Sequence, residues 1–171
     1  MPTSFTRFSS PVGELVLTAT DAGLTGIYFP SSRHGPPPLE REDWVEHDGR
    51  GPGSAVLART RRQLEEYFAG KRTAFDVALA AEGTGFELRV WGALQAIPYG
   101  TTLSYGELAR RLGDARGTRA VGAANGKNPI PIIVPCHRVV GSRGELTGFG
   151  GGIDRKRWLL EHEGALMKLG G

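Results

Sequence analysis

The chain has 171 residues, 23% of them charged, a formal net charge of +3 at pH 7 and a single cysteine, Cys136. One cysteine excludes an intramolecular disulfide and a thiolate-rich zinc site, so the fold rests on packing, and a free thiol suits a reducing compartment; the cytoplasm is the expected location. Met1 to Val16 has polar residues throughout, with Glu14 where a secretory signal needs an apolar centre, and no apolar run is long enough to cross a bilayer.

Phe5 to Phe8, Glu14 to Thr20 and Leu24 to Phe29 are short runs rich in β-formers, split by the turn-like Ser10-Pro11-Val12-Gly13 and Asp21-Ala22-Gly23. They predict a small antiparallel meander. From Pro30 to Ser54 the chain turns to proline, glycine and charge, which predicts a long loop, and no function is read in it. Ser54 begins a helix to about Phe68, with Leu57, Leu64 and Phe68 on one side and Gly70 as its stop, and the alternation of Phe75, Val77 and Leu79 predicts one more strand. These elements form a first domain, residues 1–83.

A second domain, residues 84–171, opens with two capping-box patterns, Thr84-Gly85-Phe86-Glu87 and Ser104-Tyr105-Gly106-Glu107. The first predicts a helix carrying Phe86, Val90, Trp91 and Leu94 and ending before Pro98; the second, one carrying Leu108, Ala109 and Leu112 and ending near Gly113. After a short link from Asp114 to Gly117, Thr118 to Asn125 reads as a third helix closed by Asn125-Gly126. Helix, short turn, helix is the helix-turn-helix pattern. This third helix is built mostly of Gly and Ala, so another surface comes close to it, either a neighbouring helix or a DNA backbone bracketed by Arg119 and Lys127. Gly141 to Gly152 is too glycine-rich for regular structure and reads as a wing or pocket lid. Asp154 is placed to cap a last helix through Trp158, Leu159 and Leu160 that stops at Gly164. Glu163 in its final turn opposes the helix dipole, so it is placed for a partner or stands as a surface glutamate.

Cys136 follows the apolar run Ile130-Pro131-Ile132-Ile133-Val134-Pro135 and precedes His137 and Arg138. A lone cysteine is ordinarily a small buried hydrophobe. Here a rigid proline fixes the backbone direction and two basic side chains favour a thiolate, so the reactive reading prevails. No acidic residue falls between Asp114 and Glu145, whereas Arg116, Arg119, Lys127, Arg138 and Arg143 do. Positive charge concentrated around a reactive thiol points to a phosphate-backbone partner.

Ser104-Tyr105, Arg119-Ala120-Val121-Gly122, Asn128-Pro129, Pro135-Cys136-His137-Arg138-Val139, Gly148-Phe149-Gly150-Gly151 and Leu159-Leu160-Glu161-His162-Glu163-Gly164, in that order and spacing, resemble the O6-alkylguanine-DNA alkyltransferases, also called methylated-DNA-protein-cysteine methyltransferases. The match is specific in the second domain and looser in the first. The resemblance implies an α/β first domain, ribonuclease H-like with a small antiparallel sheet plus helix, and a mostly α winged helix-turn-helix second domain. It implies DNA repair by a single-turnover transfer of an alkyl group from O6-alkylguanine in DNA to Cys136, with O4-alkylthymine left open as a second substrate. His137 would take the thiol proton through water, Glu163 would orient the imidazole, and Asn128 would tie down the turn between the recognition helix and the active-site strand. Tyr105 would donate a hydrogen bond to the departing base, and Lys156 would add positive charge near the thiol.

Substrate would be read by backbone groups of Cys136, Val139 and Gly150, with Phe149 along the pocket wall. Arg119 corresponds to a finger that fills the stack when the nucleotide rotates out, and Thr118, Ala120, Ala123, Ala124, Lys127 and Ser104 would meet DNA in the minor groove. The expected partner is double-stranded DNA bound by a monomer, with cooperativity on DNA left open. No cofactor, no metal and no membrane is expected: some relatives hold zinc in the first domain, but this chain has no cysteine there. A turnover thiol hydrolase would leave the small-residue helix unexplained. A winged-helix regulator sensing oxidants or alkylation through Cys136 is the alternative.

Overall fold

The computed structural model describes residues 2–30, 44–47, 49–113 and 117–167. Most of the loop expected over 30–54, and most of the link from Asp114 to Gly117, lie outside the described residues. The chain divides into two compact units, Met1–Glu82 and Gly83–Gly171.

In the first unit β1 (Thr3–Ser10), β2 (Gly13–Thr20) and β3 (Gly23–Tyr28) form the expected antiparallel meander. The sheet is larger than the sequence suggests: β4 (Trp44–Glu46) pairs parallel to β1, giving the order β3-β2-β1-β4, so part of the presumed loop is strand and the sheet is mixed. Cross-strand partners Phe8↔Leu15, Thr6↔Leu17 and Ser4↔Ala19 share one face, and helix α1 (Ser54–Phe68) lies over it, with Phe68 stacked on Phe8 at 6.3 Å. Gly53 starts that helix in a left-handed conformation, and a Cβ there would come within 2.8 Å of the Ala19 Cβ.

The strand expected over 75–79 is not formed beyond an isolated parallel bridge between Leu24 and Leu79. A side chain has taken the ladder's place: the buried amide of Gln63 accepts from the Asp76 N–H at 2.8 Å and donates to the Asp76 carbonyl at 3.0 Å. The backbone groups of Asp76 are therefore satisfied by α1, while Leu24 of β3 bonds the Ala78 carbonyl and the Ala80 N–H on either side of the bridge.

The second unit contains α2 (Gly85–Leu94), β5 (Leu103–Ser104), α3 (Tyr105–Leu112), α4 (Gly117–Gly126), a single 3₁₀ turn Cys136–Arg138, β6 (Val139–Val140) and α5 (Ile153–His162). The capping box on α2 is complete in both directions. On α3 only half is made: Ser104 accepts from the Glu107 N–H at 3.1 Å, while the Glu107 carboxylate takes the Ser104 hydroxyl at 3.3 Å. Helix α5 is preceded by Gly152, not capped by Asp154, which sits inside the first turn and favours the positive end of the dipole from there.

The small residues of α4 serve packing on one side. Val121, Ala124 and Asn125 are buried, Gly122 lies against the Tyr105 ring, and the Trp91 indole N–H donates to the Ala124 carbonyl at 2.9 Å. The other side, Thr118, Arg119 and Ala123 with Lys127 just beyond, is exposed. No helix among the described residues is long and apolar enough to cross a membrane.

Candidate active site

The apolar run before the cysteine is not a strand. It leaves α4 through a turn closed by Asn128, whose side chain accepts from the Ile130 N–H at 3.0 Å and donates to the Val134 carbonyl at 2.8 Å. Within that turn Ile132 has φ 73°, the only positive φ at a non-glycine among the described residues. A β-branched residue there costs about 1–3 kcal/mol. The surrounding packing bears that cost, since Ile130 to Val140 is buried without interruption. Pro135 then starts the 3₁₀ turn that holds Cys136, His137 and Arg138, and β6 continues from it, paired parallel to β5 through Leu103↔Val139 and Ser104↔Val140.

Cys136 is 6% exposed. Burial pushes its thiol up from the ordinary value, and a hydrogen bond from Asn128, the charge of Lys156 and nearby backbone groups pull it back only in part. The expectation that basic neighbours favour a thiolate is thus corrected: the resting sulfur is a thiol, because removal from water outweighs them. His137 is fully buried, and desolvation holds its imidazole below the ordinary value against the opposing pull of Glu163. The resting pair is neutral on both sides.

Glu163 follows α5 as its C-cap and is buried, which resolves its unfavourable place at a helix end. Its Oε2 lies 2.8 Å from His137 Nε2, and Arg138 grips both oxygens, Nε to Oε1 at 2.8 Å and Nη2 to Oε2 at 3.1 Å. The third arm of the guanidinium, Nη1, donates to the Ile97 carbonyl at 2.7 Å. Arg138 is therefore a buried partner of Glu163, not part of a phosphate-facing surface. An arginine fork on a carboxylate requires the ionised acid, so His137 Nε2 carries the proton it donates to Glu163. Nδ1 is then the basic nitrogen, and it is buried with no hydrogen-bond partner among the described residues.

Lys156 is fully buried, with no carboxylate partner among the described residues. Its ammonium donates to the Val139 carbonyl at 2.7 Å and to the Thr147 carbonyl at 2.6 Å, and burial pushes its pKa down to about 8, with Cys136 pulling the other way. The Thr147 carbonyl also accepts the phenol of Tyr105 at 3.1 Å, so it joins the 141–152 loop to both α3 and α5. Gly148 beside it adopts φ +62°, and a Cβ there would lie 3.3 Å from the Tyr105 hydroxyl. Burial pushes Tyr105 up, while hydrogen bonds to Thr147 and Asn125 pull it down.

The remaining expected residues divide between inside and outside. Val139 and Phe149 are buried and Gly150 half-buried. The Cys136 carbonyl accepts the Val139 N–H and, at 3.4 Å, the Asn125 amide, and the Val139 carbonyl accepts the Lys156 ammonium. Thr118, Arg119, Ala123 and Lys127 are exposed and Ala120 half-buried on α4. Ala124 is 3% exposed and packs inward, so it does not belong to that outer face. Ser104 spends its hydroxyl on capping α3.

Sequence reasoning missed Arg138 as Glu163's partner, Asn125 and the Thr147 carbonyl. A signal existed for the first: a lone guanidinium inside the apolar Val134 to Val140 run, once buried, must find an acid. The carbonyl has no signature, since any residue supplies one.

Comparison with known proteins assigns both units. Residues 4–81 match the family described as 6-O-methylguanine DNA methyltransferase, ribonuclease-like domain, and residues 85–165 match its DNA binding domain. A methylated-DNA--protein-cysteine methyltransferase of Methanosarcina acetivorans is 46% identical over 159 residues, covering 92% of this chain and 96% of its own length. One of Mycobacterium tuberculosis is 48% identical over 159 residues, covering 93% and 91%. Among solved structures, the M. tuberculosis O6-methylguanine methyltransferase superposes with a TM-score of 0.82 at 46% identity, covering 98% of this chain and 96% of that one. The M. tuberculosis OGT in complex with DNA gives a TM-score of 0.80 at 46% identity, covering 95% and 93%.

Proposed function

The chain belongs to the 6-O-methylguanine DNA methyltransferase family, which repairs DNA by moving the alkyl group of O6-alkylguanine onto a cysteine of the protein, and we propose that Cys136 is that acceptor and that His137, Glu163 and Tyr105 handle its protons. The observation that carries this reading is the buried chain Arg138–Glu163–His137, which leaves one imidazole nitrogen, Nδ1, basic and unpaired next in sequence to the only thiol.

The chemistry follows from the charges. A thiol and a neutral imidazole carry no charge into a buried site, so the site is not penalised while it waits. On attack the thiol proton passes to Nδ1, directly or through one water, and the imidazolium is held by Glu163. Sulfur bonds to the alkyl carbon as the bond from that carbon to O6 breaks, and the electron pair stays with guanine. Tyr105 exchanges its bond to Thr147 for one to a ring nitrogen and supplies the proton that makes guanine a neutral leaving group. Asn128 fixes the turn that presents Cys136, and Lys156 favours the developing thiolate by charge.

A thioether has neither an acyl carbon for water to attack nor a good leaving group, so the alkylated cysteine persists and each molecule acts once. The alkyl donor is the lesion and the acceptor is the protein, so the reaction calls for no cofactor. We read the second unit as a winged helix-turn-helix, with Gly141 to Gly152 as the wing. Its α4 would enter the minor groove, where Thr118, Ala120, Ala123 and Lys127 make a low-relief face and Arg119 fills the gap left by the extruded nucleotide. The extruded base would be read by the Val139 carbonyl and the backbone at Gly150, with Phe149 along one wall, and the protein would act as a monomer.

Equimolar protein and duplex containing O6-methylguanine test this directly. After digestion, the peptide bearing Cys136 gains one methyl group and the DNA regains guanine, with no turnover beyond one equivalent. An unmodified thiol, or continued turnover, rejects the assignment.

A further inference from the structure

We propose that Tyr99 is a positioning residue for the proton relay: its ring lies against the Arg138 guanidinium and, with the rest of the turn from Ile97 to Gly100, seats that cation on Glu163 and shields the pair from water. The inference rests on the reading of His137 as the base for Cys136.

The sequence builds this seat locally. Helix α2 ends at Leu94, ahead of Pro98, and the Thr101 N–H and hydroxyl both return to the Pro98 carbonyl, at 3.2 and 2.7 Å. They close a tight turn with Tyr99 and Gly100 at its two corners. Gly100 takes φ +79°, the left-handed conformation that the third residue of such a turn can require, and a Cβ there would stand 3.2 Å from the Glu163 carbonyl. The turn is thus laid directly against the backbone of Glu163. It also reaches Arg138 twice. Ile97 gives its carbonyl to Nη1 at 2.7 Å, and the guanidinium carbon lies over the Tyr99 ring, 5.7 Å from its centre.

These contacts divide the guanidinium between its edges and its faces. Glu163 takes Nε and Nη2, and Ile97 takes Nη1, so hydrogen bonds hold the cation along its edges and leave a face for an aromatic ring to cover. Arg138 and Glu163 are buried and Tyr99 is half-buried, which sets the ring between the ion pair and solvent. Burial and the Glu163 charge push the Tyr99 phenol up while the Arg138 charge pulls it down, so both members of the pair are felt at the ring. An aliphatic side chain in its place removes the aromatic face and admits water. Arg138 then answers Glu163 less firmly, and His137 loses part of the desolvation that holds it below its ordinary value; both effects raise the proton affinity of the imidazole. The charged and titratable groups facing His137 are Glu163 and Lys156 from the α5 side and Cys136 and Arg138 from its own turn, and Tyr99 acts on it through the last of these.

The experiment compares wild type, Tyr99→Leu and Tyr99→Phe from about pH 5 to pH 8. It follows single-turnover transfer from duplex O6-methylguanine, the NMR titration of His137 in the unreacted protein, and exchange of the Arg138 Nε–H with water. Tyr99→Leu is expected to move the acid limb of transfer and the His137 midpoint upward together by about half a pH unit, roughly threefold in rate at a fixed pH on that limb. It should also speed exchange at Nε and keep the rate at the alkaline end within about twofold. Tyr99→Phe, which retains the ring, should match wild type in all three measurements. An acid limb and a His137 midpoint that stay with wild type in Tyr99→Leu, or a loss confined to the alkaline rate, overturn the proposal in favour of a turn residue with a packing role. Tyr99→Phe as impaired as Tyr99→Leu overturns it as well, since the hydroxyl and not the face would then matter. A shifted His137 midpoint with an unshifted acid limb removes the reading of His137 as the base, and this inference with it. If Tyr99→Leu does not fold, Tyr99→Met, unbranched and without a ring, carries the same comparison.

Discussion

At the scale of single residues, the site stores two neutral groups and one committed ion pair. Arg138 is the residue whose meaning changes most between sequence and structure. In the sequence it is one more cation in a stretch without acids; in the fold it grips Glu163 and helps hold the His137 imidazole below its ordinary value of 6.5. Removing it leaves a buried carboxylate with only the imidazole to answer it, and the imidazole then takes up a proton and ceases to be a base. Arg138→Met is therefore expected to shift the acid limb of the alkyl-transfer rate upward in pH. Wild type should hold its rate down past pH 6.5, and the variant should already be falling there. Coincident pH profiles would remove Arg138 from the relay. The variant is also expected to lose about 3–5 kcal/mol of stability, the usual consequence of orphaning one member of a buried ion pair, so Arg138→Lys, which keeps the charge and loses the fork, is measured beside it. The wild-type chain shows the same imidazole in its stability. The unfolded state takes up the proton first, near pH 6.5, so the contribution of neutral His137 is complete above that pH and is lost as pH falls toward the lower folded value.

At the scale of elements, Lys156 is a staple from α5 to β6 and the 141–152 loop through the carbonyls of Val139 and Thr147. Each bond from a charged donor is worth about 1.5–3 kcal/mol, but a buried ammonium without a counter-charge is itself penalised by several kcal/mol. The two effects largely cancel. Lys156→Met is thus expected to change the melting temperature little while releasing that loop, read as faster amide exchange over residues 144–150. A melting point lower by many degrees with unchanged exchange would make Lys156 a packing residue instead. How much of this was legible depends on range. The helices over 54–68, 85–94 and 105–112 were readable because caps and apolar spacing are local signals. The two-residue ladder of β5 and β6, the β4 strand inside a Pro/Gly-rich stretch and the failure of 75–79 to form a strand were not. Each depends on a partner far away in sequence, Gln63 in the last case. In the site the reacting residues carry a motif, but the carbonyls that orient Lys156 and Tyr105 have no residue preference at all.

At the scale of the molecule, every residue assigned to the chemistry belongs to the unit Gly83–Gly171, and within it α4 joins two tasks. Its inner side carries Asn125 against the Cys136 carbonyl, and its outer side exposes Arg119. Arg119 is exposed on the side of α4 away from Cys136, and the proposed role for it concerns the DNA and not the sulfur. That separation makes a comparison of donors decisive. A base inside a duplex has to be unstacked at a cost of a few kcal/mol, whereas free O6-benzylguanine has nothing to unstack. Arg119→Ala is expected to slow repair of duplex O6-methylguanine roughly 30- to 100-fold, which corresponds to about 2–3 kcal/mol of the extrusion cost. Reaction with the free base should stay within about threefold, because Cys136, His137 and Glu163 remain where they are. Both rates are measured as single turnovers at one salt concentration, since the clustered cations make binding salt-dependent. Equal losses on the two donors would place Arg119 in the support of the active site and leave base extrusion to other residues of the outer face.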